Sequence, residues 1–210
     1  MSDTRKIITL YNSRKTIIEL LSTLKYDVND YEGFSINEID AMNKNEQLDM
    51  LISHKTTNTK IYVKYYLPDR QKQITKKVLD NIIEDLFVVE NILKKEDTLI
   101  IIMDEEPNDS NIAKMNYLYD NNGYFIVMHN IKRLQFNITN HQLVPKMTIL
   151  NETETKELMI IKNFSDLSQL PEISRYDPQA LSMCLRPKQI CKFERNSMTA
   201  LKCIYYRVCL

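Results

Sequence analysis

Leu170-Pro171-Glu172-Ile173, then Asp177-Pro178, then Ile190-Cys191-Lys192-Phe193-Glu194-Arg195-Asn196-Ser197, and at the end Tyr205-Tyr206-Arg207-Val208-Cys209-Leu210: this stretch decides the fold of the C-terminal part. Residues 189–195 and 201–208 read as two strands of an antiparallel hairpin. Asp177 at an N-cap followed by Pro178 at the first helical position is a favoured helix start. The chain ends inside the last predicted strand, and a terminus held in a sheet is a docking element rather than a tail. No spacing in this stretch assembles a catalytic centre.

Upstream of it, Asn151-Glu152-Thr153-Glu154 reads as a capping box opening a helix that runs through Ile161. A second short helix is expected near Asp166–Leu170, and Met147–Leu150 as a short strand. Residues 141–145, His141 to Pro145, form a connector. Pro145 restricts the residue before it to extended backbone, and the composition shifts there. The expected division is an N-terminal domain over 1–138 and a C-terminal domain over 139–210.

The N-terminal part alternates helix and strand. Residues 4–25 carry Ile7, Ile8, Tyr11, Ile18 and Leu21 at helical spacing, with Arg14 and Lys15 on or near the polar face. A short helix is expected around Ile36–Met42. Strands follow at Leu48–Ser53 and Lys60–Tyr66. Residues 72–94 return to helical period, with Ile74, Val78, Ile82, Leu86, Val89 and Leu93 on one stripe. Thr98–Met103 is a buried strand of β-branched and aliphatic residues. A helix over Ser110–Tyr119, a turn at Asn121-Asn122-Gly123, and strands at Tyr124–Met128 and Leu134–Ile138 complete it. The fold class is therefore α/β (α+β overall): an α/β N-terminal domain with a small central sheet, plus a small C-terminal α+β domain ending in a β-hairpin.

Composition narrows the function. Apolar residues make up 43% of the 210, and the formal net charge is zero with a pI near 6.8. No global basic field draws the chain to nucleic acid. The longest aliphatic run, Leu99 to Met103, is far short of the roughly 20 residues a membrane span needs. The start, Met1-Ser2-Asp3-Thr4-Arg5-Lys6, has no signal-peptide core, so an intracellular location is expected. The chain has two glycines, Gly33 and Gly123; that leaves no phosphate-cradling loop and no nucleophile elbow. Cys184, Cys191, Cys203 and Cys209 match no zinc-ligand spacing, and the three histidines, His54, His129 and His141, have no ligand partner at metal spacing. The cysteines read as reduced, half-buried thiols. No catalytic, cofactor or metal residue is assigned, and no small-molecule substrate is implied.

Two other readings compete with a purely structural role. Asp104-Glu105-Glu106 follows a strand, where metal-dependent nucleases place acidic ligands, and Pro68-Asp69 fits part of such a signature. A lysine two residues after one of these acids, on the neighbouring strand, is missing. The one Glu-x-Lys, Glu154-Thr155-Lys156, falls on a helix. A solvated acidic loop is the better reading. A free-standing nucleic-acid binder is the other alternative. Tyr62, Tyr65 and Tyr66 with Lys60 and Lys64 could stack on single strands, but a half-buried strand gives the same pattern. Arg70, Lys72, Lys76 and Lys77 sit where a helix begins, against its dipole, and are candidates for phosphate contact; with Ser110 they are the possible DNA-facing residues.

Three motifs in series give a family resemblance. Leu10-Tyr11-Asn12-Ser13-Arg14-Lys15-Thr16-Ile17 followed by Tyr26 looks like the opening helix of the fifth shared subunit of nuclear RNA polymerases. Residues 137–146, Asn137 to Lys146, resemble that family's linker. Leu170-Pro171, Asp177-Pro178, Lys192, Arg195, Ser197 and Tyr206-Arg207 fall at its C-terminal positions, in a domain that resembles a small separate polypeptide of the archaeal polymerase. The resemblance implies a non-catalytic subunit of a multisubunit DNA-dependent RNA polymerase. It implies a C-terminal domain docked on the largest subunit and an N-terminal domain in the lower jaw near downstream DNA. Pro145, Leu170, Pro171, Asp177, Pro178, Lys192, Arg195, Ser197, Tyr206 and Arg207 are the implied assembly residues. The expected location is the nucleus in a cellular protein, or virion and host cell in a viral one.

The departures are as informative. Met147 replaces a second histidine. A Leu-Gly step is replaced near Met183-Cys184, a glycine before the hairpin near Gln189, and the glycine of the hairpin turn within Ser197–Leu201. Without glycine these turns are expected to be remodelled. Glu106-Pro107-Asn108-Asp109-Ser110 stands for a Thr-Pro-Ser loop, and its acidity opposes DNA contact there. Such drift, with abundant Asn, Lys and Ile, suggests a viral copy.

Overall fold

A computed structural model of the chain describes residues 3–67, 74–197 and 199–210. The chain forms two compact units, Met1–Phe136 and Asn137–Leu210. The fold is α+β with two sheets.

The first unit contains helices α1 (Asp3–Thr23), α2 (Ile36–Lys44), α3 (Lys76–Ile83) and α4 (Asp109–Asn122). Its strands are β1 (Met50–Ser53), β2 (Lys60–Tyr65), β3 (Thr98–Met103) and β4 (Phe125–Asn130), in the order β1-β2-β3-β4. β1 is antiparallel to β2, whereas β2, β3 and β4 run parallel. Every residue of β3 and β4 is buried, as expected for strands covered on both faces. Asp97 fastens one end of the sheet: its carboxylate accepts from the backbone N–H of Lys60 at 2.6 Å and of Lys94 at 2.7 Å. Asp49 does the same beside β2, accepting from the N–H of Tyr65 and the hydroxyl of Tyr62. Tyr62 is therefore held by the sheet and does not stand out as a stacking platform.

Three expectations for this unit are corrected. Leu134–Ile138 is not a strand. It is a bend flanked by 3₁₀ turns at Ile131–Leu134 and Ile138–Asn140. Asn130 and Asn137 accept through their side chains from the N–H groups of Lys132 and Thr139, which favours turns over extension. Gln135 then donates to the Thr9 carbonyl of α1 at 3.1 Å. The helix expected over 72–94 runs from Lys76 to Ile83 and continues as a π-helical segment over Glu84–Val89. The wider turn shifts the apolar stripe out of phase, so Val89 is 70% exposed while Leu86 and Phe87 are buried. The inward face of α1 is also broader than its apolar pattern. Arg14 is on it, 3% exposed.

The second unit holds β5 (Lys146–Ile149), α5 (Glu152–Lys162), β6 (Glu172–Ile173), α6 (Pro178–Ser182), β7 (Ile190–Ser197) and β8 (Leu201–Cys209). Both helix starts follow the sequence chemistry. Asn151 and Glu154 make a reciprocal capping box, and Asp177 caps α6 with Pro178 at its first position. The segment near Asp166–Leu170 shortens to a 3₁₀ turn, Leu167–Gln169. The sheet order is β5-β7-β8-β6. β7 and β8 form the hairpin, β5 adds antiparallel to β7, and β6 adds parallel to β8. One sheet face packs Met147, Ile173, Cys191, Phe193 and Cys209 with Ala180 and Leu185, and Phe193 stacks on Tyr205 at 4.9 Å.

Among the described residues no helix is long and apolar enough to cross a membrane.

Candidate docking interface

Each edge of the hairpin is partly covered. β5 covers the outer side of β7 from Cys191 to Glu194, and β6 covers β8 at Val208 and Cys209. Within the hairpin the outer edge of β8 from Leu201 to Arg207 stays open, as does that of β7 beyond Glu194. Along β8 Leu201 and Ile204 are exposed at 86% and 51%. An edge with unpaired backbone groups and exposed apolar side chains is a template for a partner strand or loop.

The assembly residues implied by resemblance divide by role. Pro145 accepts through its carbonyl from Nε2 of Gln179 at 2.7 Å, tying the connector to α6. Pro171 accepts from the N–H of Val208 at 2.9 Å and Leu170 closes the preceding turn. Asp177 caps α6, and exposed Pro178 begins it. Ser197 organises the hairpin turn, its hydroxyl accepting from the N–H groups of Thr199 and Ala200. Arg207 donates from Nη1 to the Glu172 carbonyl at 3.0 Å and so braces β6 against β8.

The remaining residues face outward, on two sides. Lys192 lies directly across from Tyr206, and both are half-buried. Lys192 pairs with Glu194 at 3.1 Å, which lowers the pKa of that carboxyl through a hydrogen bond and a positive neighbour. Arg195 is exposed on the other face, opposite Cys203. The sheet's alternation therefore separates Lys192 and Tyr206 from Arg195 and Arg207.

The thiols are free: Cys191 and Cys209 are buried, Cys184 is half-buried and Cys203 is exposed. Burial pushes the Cys191 and Cys209 thiols up to about 11, so both stay protonated in the core. The turns that lack glycine carry side chains in a region that favours glycine. Cys184, Lys188 and Leu201 take left-handed backbone at φ of 49°, 70° and 57°.

In the first unit, Lys76 and Lys77 are exposed in the first turn of α3, and half-buried Ser110 is in the first turn of α4. Asn111 donates from Nδ2 to the Ile74 carbonyl at 3.2 Å, bringing the two helix starts together. Arg70 and Lys72, like Pro68 and Asp69, lie outside the described residues. The acidic loop is partly neutralised, as Asp104 pairs with Lys132 at 3.1 Å and Glu106 with Arg133 at 2.8 Å. Among the described residues no three His, Cys, Asp or Glu side chains converge on a metal-sized site. Sequence reasoning missed two features here. β6 is only two residues long, and the burial of Arg14 depends on partners far away in sequence.

What the geometry offers is contact surface: an open strand edge, exposed apolar side chains and outward-facing charges. The class is a protein that works by assembly. Residues 136–209 match the family described as RNA polymerase Rpb5, C-terminal domain. The chain is 30% identical over 217 aligned positions to the DNA-directed RNA polymerases I, II, and III subunit rpabc1 of Dictyostelium discoideum, covering 100% of both chains. It is 39% identical over 74 residues to the DNA-directed RNA polymerase subunit Rpo5 of Thermococcus celer, covering 35% of this chain and 89% of that one. Over 75 residues it is 41% identical to the RPABC1 subunit of Caenorhabditis elegans, covering 36% of this chain and 35% of that one. The chain belongs to the Rpb5 family of DNA-directed RNA polymerase subunits.

Proposed function

We propose that the chain is a structural, non-catalytic subunit of a multisubunit DNA-dependent RNA polymerase. Its C-terminal unit docks on the largest subunit, and its N-terminal unit forms part of the lower jaw beside downstream DNA. The observation that carries this reading is the match along the full length of the Dictyostelium discoideum subunit. The open β8 edge supports docking through the C-terminal sheet, with Arg195, Lys192 and Tyr206 as its outward anchors. Arginine and tyrosine are residue types that supply hot spots when desolvated by a partner. Lys76, Lys77 and Ser110, at two adjoining helix starts, are the jaw's DNA-facing candidates. The nuclease alternative is weakened by the ion pairs that occupy Asp104 and Glu106.

In this reading the two units are separable domains, with the boundary near residues 139–145. The protein works where its polymerase works: the nucleus of a cell, or the virion and host cell if it is viral. The test is affinity purification of the tagged chain followed by mass spectrometry. Recovery of the two large polymerase subunits is expected. Recovery of the chain alone, with Mg²⁺-dependent DNA cleavage lost on Asp104→Ala, would overturn the reading.

A further inference from the structure

Among the described residues Arg14 is a buried cation with no paired carboxylate. It is 3% exposed, its Nη1 donates to the Leu48 carbonyl at 2.9 Å, and its Nε is buried with no hydrogen-bond partner. Its guanidinium lies 5.5 Å from the ring of Phe34 and 5.9 Å from that of Tyr31. No carboxylate is paired with it among the described residues. Burial lowers its pKa from the ordinary value, only partly offset by the neighbouring tyrosines. Ring faces compensate a cation only in part, and a buried charge ordinarily has a partner.

This side chain lines an open cavity of about 300 Å³ between α1 and the segment leading into α2. The walls are Tyr31, Phe34, Ile18 and Ile39, with Lys15, Glu19 and Glu32 also lining it. Gly33, at φ 84°, makes the turn between the two aromatic residues, and a Cβ built there would meet nothing within 4 Å. The cavity thus joins apolar and aromatic walls to one under-used guanidinium. Carboxylate and phosphate both match the geometry of guanidinium N–H donors, and the charge of the lining decides between them. The charged lining is balanced, Arg14 and Lys15 against Glu19 and Glu32, and a lining with no net positive charge disfavours a polyanion, so nucleic acid and phosphate clusters do not fit.

We propose that this cavity is a docking site for a peptide segment of a partner protein, carrying a single aspartate or glutamate flanked by apolar residues. The carboxylate meets Arg14, and the flanking side chains lie against Phe34, Tyr31 and Ile18. The site belongs to the N-terminal unit and goes beyond assembly of the C-terminal sheet on the polymerase.

The experiment follows the Arg14 Nε–H signal of the ¹⁵N-labelled full chain by NMR. The probe is a capped pentapeptide with aspartate between leucine and phenylalanine; its asparagine counterpart and inorganic phosphate are the other arms. The aspartate peptide should shift the signal saturably, and the asparagine peptide should bind at least tenfold more weakly. Phe34→Ala, at a half-buried position and with an unchanged backbone amide spectrum as the control for folding, should weaken aspartate-peptide binding at least fivefold. Three results would each overturn the proposal: no shift with the aspartate peptide, equal binding of both peptides, or a shift produced by phosphate alone.

Discussion

The two sheets of this chain are built on opposite principles. In the first unit β3 and β4 are buried residue by residue, on both faces, with helices before and after them. In the second, β7 and β8 bury one face around Phe193 and leave β8 open along much of its outer edge. The first arrangement uses almost all its apolar area for its own stability. The second keeps part of it available. Exposed Leu201 and Ile204 cost little in water individually, yet a partner that covers them gains their burial. The difference teaches where to look for assembly: at the sheet that is incompletely covered, not at the one with the larger core.

The contrast can be broken most directly by truncating each core. Phe193 is 3% exposed and Ile101 is 0% exposed. Phe193→Ala should cost about 3–5 kcal/mol and Ile101→Ala about 2–5 kcal/mol. If the two units are separate domains, each substitution raises hydrogen exchange only in its own unit, read by mass spectrometry. The smaller C-terminal unit, near the size where domains become marginal, should lose its protection altogether. Equal loosening of both units after Phe193→Ala would remove the proposed boundary near 139–145.

Acid should separate the units next. His129 on β4 is buried, and burial with a nearby Arg133 lowers its pKa from the ordinary 6.5 to about 4. The neutral form is favoured in the folded state, so the contribution is fully present above pH 6.5. It is lost as pH falls from 6.5 towards 4, where the unfolded chain binds a proton that the folded chain does not. The drop corresponds to about 3 kcal/mol. His141 in the other unit is exposed. Urea midpoints of the first unit between pH 7 and 4.5 should therefore fall more steeply than those of the second. His129→Asn should flatten the difference; an unchanged slope would assign the acid sensitivity to other groups.

Much of this architecture was legible because it is local. The Asn151–Glu154 box and the Asp177-Pro178 start lie within one helical turn, and both form. Thr98–Met103 is a strand because β-branched and aliphatic residues leave it no polar face. The features that escaped sequence reading depend on distant partners. Leu134 and Gln135 turn because they meet α1. Arg14 is buried because Leu48, Tyr31 and Phe34 close over it. β6 has two residues and no pattern of its own, and exists because β8 pairs with it. The candidate interface was readable as residue types, whereas its division between two faces required the register of β7 on β8.

A smaller effect distinguishes outward anchors from internal braces. If the C-terminal unit docks on the largest subunit as proposed, Arg195→Ala should weaken that docking roughly tenfold, a loss of about 1.4 kcal/mol of binding, and leave the melting temperature unchanged. Arg207→Ala removes the hydrogen bond to the Glu172 carbonyl, at a cost of about 1 kcal/mol to folding. It should also raise hydrogen exchange in β6. A pull-down on the largest subunit, compared with one using a chain that lacks residues 1–138, ranks these contributions. Full binding by Arg195→Ala together with loss of binding in the truncated chain would move the interface to the N-terminal unit.

The smallest predicted effect concerns backbone strain. Gly123 and Lys188 occupy the same left-handed region, at φ of 78° and 70°, with opposite residue choices. Glycine enters it freely, whereas a side chain brings Cβ against the backbone at a cost of about 1–2 kcal/mol. Lys188 is exposed, and its N–H donates to the Cys209 carbonyl at 2.9 Å, so the turn is fixed by the sheet and not by the lysine side chain. Lys188→Gly should relieve the strain but also give the unfolded chain more freedom, which takes back about 0.4–1 kcal/mol. The net expectation is a stabilisation of about 0.5–1 kcal/mol, a shift of a few degrees in melting temperature. Gly123→Ala should move the first unit the other way by a similar amount. If Lys188→Gly destabilises the C-terminal unit, the lysine stem contributes packing that exceeds its backbone cost, and the turn is tuned to its side chain after all.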